Sequence, residues 1–458
     1  MGSSTLLQER HPLGQVLMLY GWTSPDFLRR VAAKHRALGF GSLAARKEQV
    51  SRWTRPVKPP VPDEHTQLAI AAVLGIPARM VIALGWPHWL LLALRDDSVV
   101  WESPWTAQGT IYALDDVGGP VVDRRGFLAA TTSTVAAVLA QWAAAHPAPA
   151  ATTGRRIDMG VPDRLDSRLH DLRHLDDELG ADHVYDAARA ELQLITRLLR
   201  ERSYSEETGR RLFASASEAA RLAGWCSYDS GDLAASEKYF ATSMRAAASS
   251  GTKTAGVIAA AFWANARYGS PASPDPRGAL DLLDVALAQR AEIPSPRVLT
   301  MLYIRTARAH SIAGEPAAAY RAIDTALDAY GSGVPAGEDL PQMYWINTGE
   351  ILQAAGSSAL SLGDPARALR YFTEAATHND PYDSTKEPRG TAIYLARKAA
   401  AYRELGDLDG AVHTAEEAVA LMGGVSSARG NSTLGDLRDG LDRHRTVPAV
   451  AAFLEATG

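Results

Sequence analysis

From residue 165 onward, apolar positions recur at helical spacing almost without a break, and the alternation that would mark strands is nearly absent. Helix patterns over 164–179 and 183–202 lead into a series of helix pairs. Short turns divide these pairs: Gly231-Asp232-Leu233, Gly314-Glu315-Pro316, Gly363-Asp364-Pro365 and Gly406-Asp407-Leu408. Matching offsets follow each glycine. Five residues on stand Ser236, Ala319, Ala368 and Ala411; nine on, Phe240, Ile323, Phe372 and Ala415; twelve on, Ser243, Ala326, Ala375 and Ala418. Glycine allows the tight turn, a small residue lets two helices approach, and a bulky one fills the gap to the next unit. A fifth, less regular pair spans 263–268 and 279–288, with a proline-rich insertion between its helices.

The first 90 residues read differently. Short helical patterns cover 13–20 and 24–35, with Ser24 expected as N-cap and Pro25 at the first helical position. A basic segment, Arg46 to Arg55, carries two apolar anchors, Val50 and Trp53. If these pack inward, Lys47, Gln49, Ser51 and Arg52 point outward. Pro56, Pro59, Pro60 and Pro62 forbid the helix from continuing, so it must end near Arg55. Asp63 is expected to cap a helix with Leu68, Ala69, Ala72, Val73 and Leu74 on one face, and 78–84 begins a fifth. Between the two regions, Phe127, Leu128, Val135, Val138, Leu139 and Trp142 predict one buried helix.

The fold class expected is therefore all-α, in three parts: residues 1–90 as a small helical domain, 91–160 as a connecting segment with a buried helix, and 161–458 as a helical-repeat domain. The stretch from Pro104 to Pro120 is expected to act as a tether. The length of 458 residues and 46% hydrophobic content suit several folded units. Net charge is only −5, but residues 1–90 hold 11 Lys and Arg against 5 Asp and Glu. A basic head on an acidic body suits a phosphate-facing module joined to something else.

Catalytic chemistry finds no motif, so no enzyme activity and no cofactor are expected. The one cysteine, Cys226, reads as a packing residue, and a cytoplasmic location is expected. His170 and His174 could meet a metal ion at their four-residue spacing, but their acidic flanks read as a solvated face, and no metal is assigned. Ser250-Gly251-Thr252-Lys253-Thr254 ends like a phosphate loop yet lacks the upstream glycine and the preceding strand, so it reads as a loop. Arg124-Arg125-Gly126-Phe127-Leu128 imitates a twin-arginine export signal that begins too late in the chain, and the apolar run after it is too short to span a lipid bilayer.

Gln49-Val50-Ser51-Arg52-Trp53, a proline-containing turn and Leu68-Ala69-Ile70-Ala71-Ala72-Val73-Leu74-Gly75-Ile76-Pro77 resemble the lambda-repressor-like, xenobiotic-response-element type of helix-turn-helix. Gly85-Trp86-Pro87-His88-Trp89-Leu90 and 123–128 are similar to segments of bacterial regulators that join such a head to tetratricopeptide repeats, whose logic the glycine-centred pattern follows. The resemblance implies double-stranded DNA as a partner, a homodimer, and control of differentiation or secondary metabolism. It makes Gln49, Ser51 and Arg52 the candidates for base-edge contacts, and Lys47, Arg55 and Lys58 those for phosphates. Where the family usually has Trp-Glu-Arg-Gly, this chain has Trp53-Thr54-Arg55-Pro56. An interaction scaffold with a vestigial head is therefore the alternative.

In a repeat superhelix the first helices line a concave groove for a peptide, a small molecule or a partner protein. Arg221, Trp225, Tyr228, Asn265, Arg308, Asn347, Glu350 and Gln353 are the candidate lining residues. Asn265 and Asn347 are the expected clamps, because an asparagine amide can both donate to and accept from an extended backbone.

Overall fold

The computed structural model describes residues 11–19, 22–44, 46, 48–55, 60–74, 76, 78, 81–82, 85–90, 98–119, 130, 132–270, 274–332, 338–378, 380, 387–423 and 427–457. Nearly all regular structure in them is helical; one pair of two-residue parallel strands, Arg155–Arg156 with Arg202–Ser203, is the exception. The chain divides into two compact units, residues 1–98 with 120–128, and residues 99–119 with 129–458.

In the first unit, α1 (Pro12–Leu19), α2 (Ser24–Ala37), α3 (Glu48–Trp53) and α4 (Glu64–Val73) surround a core of Leu13, Phe27, Leu28, Val31, Ile70, Trp89 and Leu90. Val50 and Trp53 are buried in it as the spacing required. The caps follow from chemistry: Asp63 accepts from the Thr66 amide at 2.8 Å, whereas Thr23 and not Ser24 caps α2, accepting from Asp26. The inward face of α4 turns on Thr66, Ala69, Ile70 and Ala71, leaving Leu68, Ala72 and Val73 only half-buried. Trp89 closes the core and donates its indole N–H to Gln67 Oε1 at 3.1 Å. Residues 56–59 and most of 78–84 lie outside the described ones.

The second unit contains the pairs. Its first helices are α5 (Glu206–Asp229), α6 (Lys253–Tyr268), α7 (Pro296–Ile312), α8 (Thr348–Ser361) and α9 (Pro388–Glu404); each packs on the helix that follows it and on the first helix of the next pair. The four glycine turns share one geometry. Gly231, Gly314, Gly363 and Gly406 all have φ between 74° and 85°, open to glycine and strained for other residues. The amide of the next residue then reaches back to a helical carbonyl five residues earlier: Asp232 to Ser227 at 2.8 Å, Glu315 to His310 at 2.9 Å, Asp364 to Ala359 and Asp407 to Tyr402 at 3.0 Å. Asp232, Asp364 and Asp407 also cap the helix that starts there.

All twelve residues picked out by offset are buried. A further small position stands seven residues before each glycine: Gly224, Ala307, Gly356 and Ala399. A Cβ on Gly224 or Gly356 would come within 3.0 Å or 2.7 Å of the Phe240 or Phe372 ring, so those helix crossings need the missing side chain.

Residues 99–119 and 130–160 correct the domain expectation, for they belong to the second unit and are no tether. The reason is Arg245, which is fully buried and donates to four carbonyls: Val100 at 2.8 Å, Ser103 at 2.7 Å, Pro104 at 3.3 Å and Trp101 at 3.5 Å. A helix over Ala107–Gly118 adds Tyr239 Oη donating to Val117 O at 2.9 Å. The expected buried helix runs Thr132–Ala144, with Val135, Val138, Leu139 and Trp142 inward. Phe127 and Leu128, and the whole 124–128 segment, lie outside the described residues. No described helix is long and apolar enough to cross a membrane.

Candidate ligand cavity

Within the second unit the first helices line a cavity of about 510 Å³. A further helix, Gly160–Leu179, contributes Arg173, Asp176 and Asp177 to its wall, and Ala428–Asp442 contributes Arg429. Six of the eight expected lining residues lie on it: Arg221, Trp225, Tyr228, Asn265, Arg308 and Glu350.

Asn347 and Gln353 do not line it. Asn347 is the N-cap of α8, its side-chain oxygen accepting from the Glu350 amide at 2.8 Å, so it anchors a helix start and is not a clamp. Gln353 is half-buried on α8 and is not one of the residues that line the cavity. Asn265 does reach the cavity, yet its Oδ1 already accepts from Tyr268 Oη at 2.5 Å and Arg305 at 2.9 Å.

One side of the wall is an ion-pair clasp. Arg389 binds Asp176 at 2.8 Å, 213 residues away in sequence, and Asp229 at 3.2 Å. Asp229 also accepts from Ser427 at 2.9 Å and Arg429 at 3.2 Å. Asp177 accepts from Tyr344 Oη, and burial pushes its carboxyl up to about 6 despite the facing Arg389. Next to this cluster, Glu218 takes Arg221 at 2.7 Å and Arg173 at 2.8 Å. Burial opposes its charge, but the two guanidiniums hold its carboxyl down at about 2. Four guanidiniums thus meet four carboxylates.

The other side is not balanced. Arg305 and Arg308 stand three apart on α7, and Arg397 comes from α9. Their partners are neutral: Asn265 and Tyr268 for Arg305, Ser311 and Ser361 at 3.2 Å each for Arg308, and Ser357 at 3.1 Å for Arg397. Burial pulls Arg308 down to about 10, and Arg397 and Arg305 add like-charge repulsion. Glu350 is the carboxylate that faces this group. Both its oxygens accept from Tyr394 Oη at 2.8 Å, and burial raises it to about 7 even with Arg305 and Arg397 opposite.

Aromatic faces complete the cavity. Trp225 meets Phe262 edge-on at 5.2 Å, and Trp345 lies 6.3 Å beyond Phe262. Arg221 sits 4.3 Å over Phe262, and Arg429 4.7 Å over Trp225. Arg305, Arg389, Tyr394 and Arg397 escaped the sequence reading. The signal for Arg305 was present: it lies one helical turn before Arg308, on the same face.

In the first unit, α3 is six residues long. Arg52, the candidate for a base-edge contact, and Arg55, the candidate for a phosphate, are exposed. Gln49 is half-buried and its Oε1 accepts from the Arg46 amide at 2.9 Å, while Ser51 Oγ donates to the Glu48 carbonyl at 2.9 Å. Two of the three candidate readers thus spend polar atoms on nearby backbone. Lys47 and Lys58 lie outside the described residues.

His170 and His174 pack edge to face at 4.6 Å, and His174 leans on Tyr344. No group of three or more metal-ligating side chains gathers among the described residues. Cys226 is buried, with burial pushing its thiol well up, and packs as expected. The loop expected over 250–254 is only the Gly251-Thr252 turn between a helix that ends at Ser250 and α6, and Lys253 at the start of α6 lies 5.2 Å over Trp142. No family model matches the chain, and no curated protein matches it.

Proposed function

We propose that the protein is a DNA-binding transcription regulator whose tetratricopeptide-like second unit binds an effector in the cavity. The observation that carries the reading is the cavity itself. At about 510 Å³ it falls in the range of small-ligand sites, and it combines aromatic faces with convergent polar groups. The DNA half rests on the basic balance of residues 1–90 and on Arg52 and Arg55, exposed beside a helix pinned by Val50 and Trp53. A helix-turn-helix head buries too little surface alone for tight specific binding, so the reading includes a homodimer on double-stranded DNA. The cavity is assigned to binding and not to turnover.

The test is recovery of genomic DNA fragments by the full chain over a range of salt. A regulator enriches particular sites above the non-specific background, and Arg52→Ala with Gln49→Ala removes that enrichment. Equal recovery of all fragments would sink the reading. It would leave the second one, an interaction scaffold with a vestigial head, which the local bonding of Gln49 and Ser51 favours.

A further inference from the structure

We infer that the unbalanced side of the cavity is an anion site, built for the dianionic phosphate group of a small molecule whose flat ring lies against the Trp225, Phe262 and Trp345 faces. The inference rests on the reading of the cavity as an effector site. It goes beyond that reading by naming the chemistry of the effector.

Arg305 and Arg397 have Glu350 opposite them, Arg308 stands beside both, and among the described residues none of the three guanidiniums is in an ion pair with a carboxylate at salt-bridge distance. Their nearest partners are an amide oxygen and hydroxyl groups, none of which carries charge. A buried cation without a counter-charge is costly, so a fold keeps several together only where something offsets them. Structural arginines in this unit are either paired with carboxylates, as Arg389 is with Asp176 and Asp229 and Arg173 and Arg221 are with Glu218, or sealed against backbone carbonyls away from the cavity, as Arg245 is. Among the described residues the opposite side has no such ion pair, and it opens on the cavity. Two positive charges are left over when Glu350 is ionised, the complement of one phosphate monoester.

Geometry suits the group as well as charge. Guanidinium forks match phosphate oxygens two at a time, and neutral hydroxyl partners hold the forks in place without competing for the charge. Arg308 is nine-tenths buried and fixed from two sides by Ser311 and Ser361. Arg305 lies 5.5 Å over the Trp345 ring, which places the aromatic wall directly beside the cationic one. A ring stacked there would leave its phosphate among the arginines.

Isothermal titration of the full chain with adenosine monophosphate, adenosine and inorganic phosphate tests this. The monophosphate is expected to bind about tenfold or more tighter than the nucleoside, and phosphate to compete with it. Arg308→Gln and Arg397→Gln should each weaken the monophosphate at least about tenfold while leaving adenosine unchanged, with Arg308→Lys recovering part of the loss. Glu350→Gln should tighten the monophosphate. Melting curves establish that each variant is folded, and two arginine positions guard against one failing to fold. Ala354→Trp, which fills the cavity, should block every probe.

Equal affinity for nucleoside and nucleotide, or failure of phosphate to compete, overturns the anion site. The effector reading then survives if adenosine binds and Ala354→Trp blocks it. If no probe binds, the anion site and its ring-phosphate ligand both fall, and specific DNA recovery decides the regulator reading separately.

Discussion

The two sides of one cavity use the same residue type in opposite ways. On the clasp side every arginine meets a carboxylate, and the pairs join segments far apart in the chain: Arg389 to Asp176 and Asp229, Arg429 to Asp229, Arg173 and Arg221 to Glu218. On the other side Arg305, Arg308 and Arg397 meet serine, tyrosine and asparagine. Ion pairs between distant elements hold a closed shape. Cations that outnumber the carboxylate facing them across a cavity are, in the proposal made above, what holds a ligand. The difference separates the part of the wall that builds the site from the part that uses it.

The largest effect should come from the clasp. Arg389→Met leaves Asp176 and Asp229 buried with their main counter-charge gone, and about 3–5 kcal/mol of stability should disappear in denaturant melts. Arg245→Met is a comparison within the same unit, since that guanidinium is held by carbonyls and not by carboxylates. Four carbonyls would lose a donor, at a cost of about 2–4 kcal/mol, and residues 99–119 should become sensitive to protease. Full protection of that segment in the variant would contradict its place in the second unit.

Glu350 gives a smaller effect that depends on pH. Its carboxyl is raised from about 4.5 to about 7 by burial, so the folded protein binds that proton more tightly than the unfolded chain. Its contribution to stability is complete below the unfolded value and is lost as pH rises through about 7. Glu350→Gln keeps a neutral side chain at every pH. The stability gap between pH 5 and pH 8 should therefore narrow in that variant, and an unchanged gap would place the titration elsewhere. Asp177, raised to about 6 by burial, contributes in the same direction.

Arg308→Gln should cost almost no stability, about 1 kcal/mol or less in either direction, because relief from Arg305 and Arg397 offsets the loss of two serine hydrogen bonds. A loss as large as that of Arg389→Met would make the two sides alike and remove the contrast. The smallest effect should come from Arg445→Ala. Its exposed pair with Asp442, 2.9 Å across a solvated helix end, is worth about 0–1 kcal/mol.

Much of the architecture was readable without coordinates. A glycine, an acidic residue and a proline or leucine in succession mark the end of one helix and the start of the next, because positive φ, an N-cap and a fixed φ are local demands. The residues at fixed offsets were legible for the same reason: a repeated crossing needs the same sizes at the same places. Val50 and Trp53 were identified as core residues by spacing alone. Asn347 misled, since an asparagine before a helix and an asparagine in a groove look alike in one dimension. The tether misled too, because prolines at 104 and 120 bracket a helix, and nothing local announces that Arg245 will hold its approach.

By itself the sequence determined the helices, their turns, the sizes at the crossings and the basic bias of the first 90 residues. These depend on neighbours within one or two helical turns. Only the tertiary structure decided which charges meet. Whether an arginine finds a carboxylate 213 residues away or faces an open cavity depends on how the helix pairs stack and close, and that stacking sums small rotations that no single residue records.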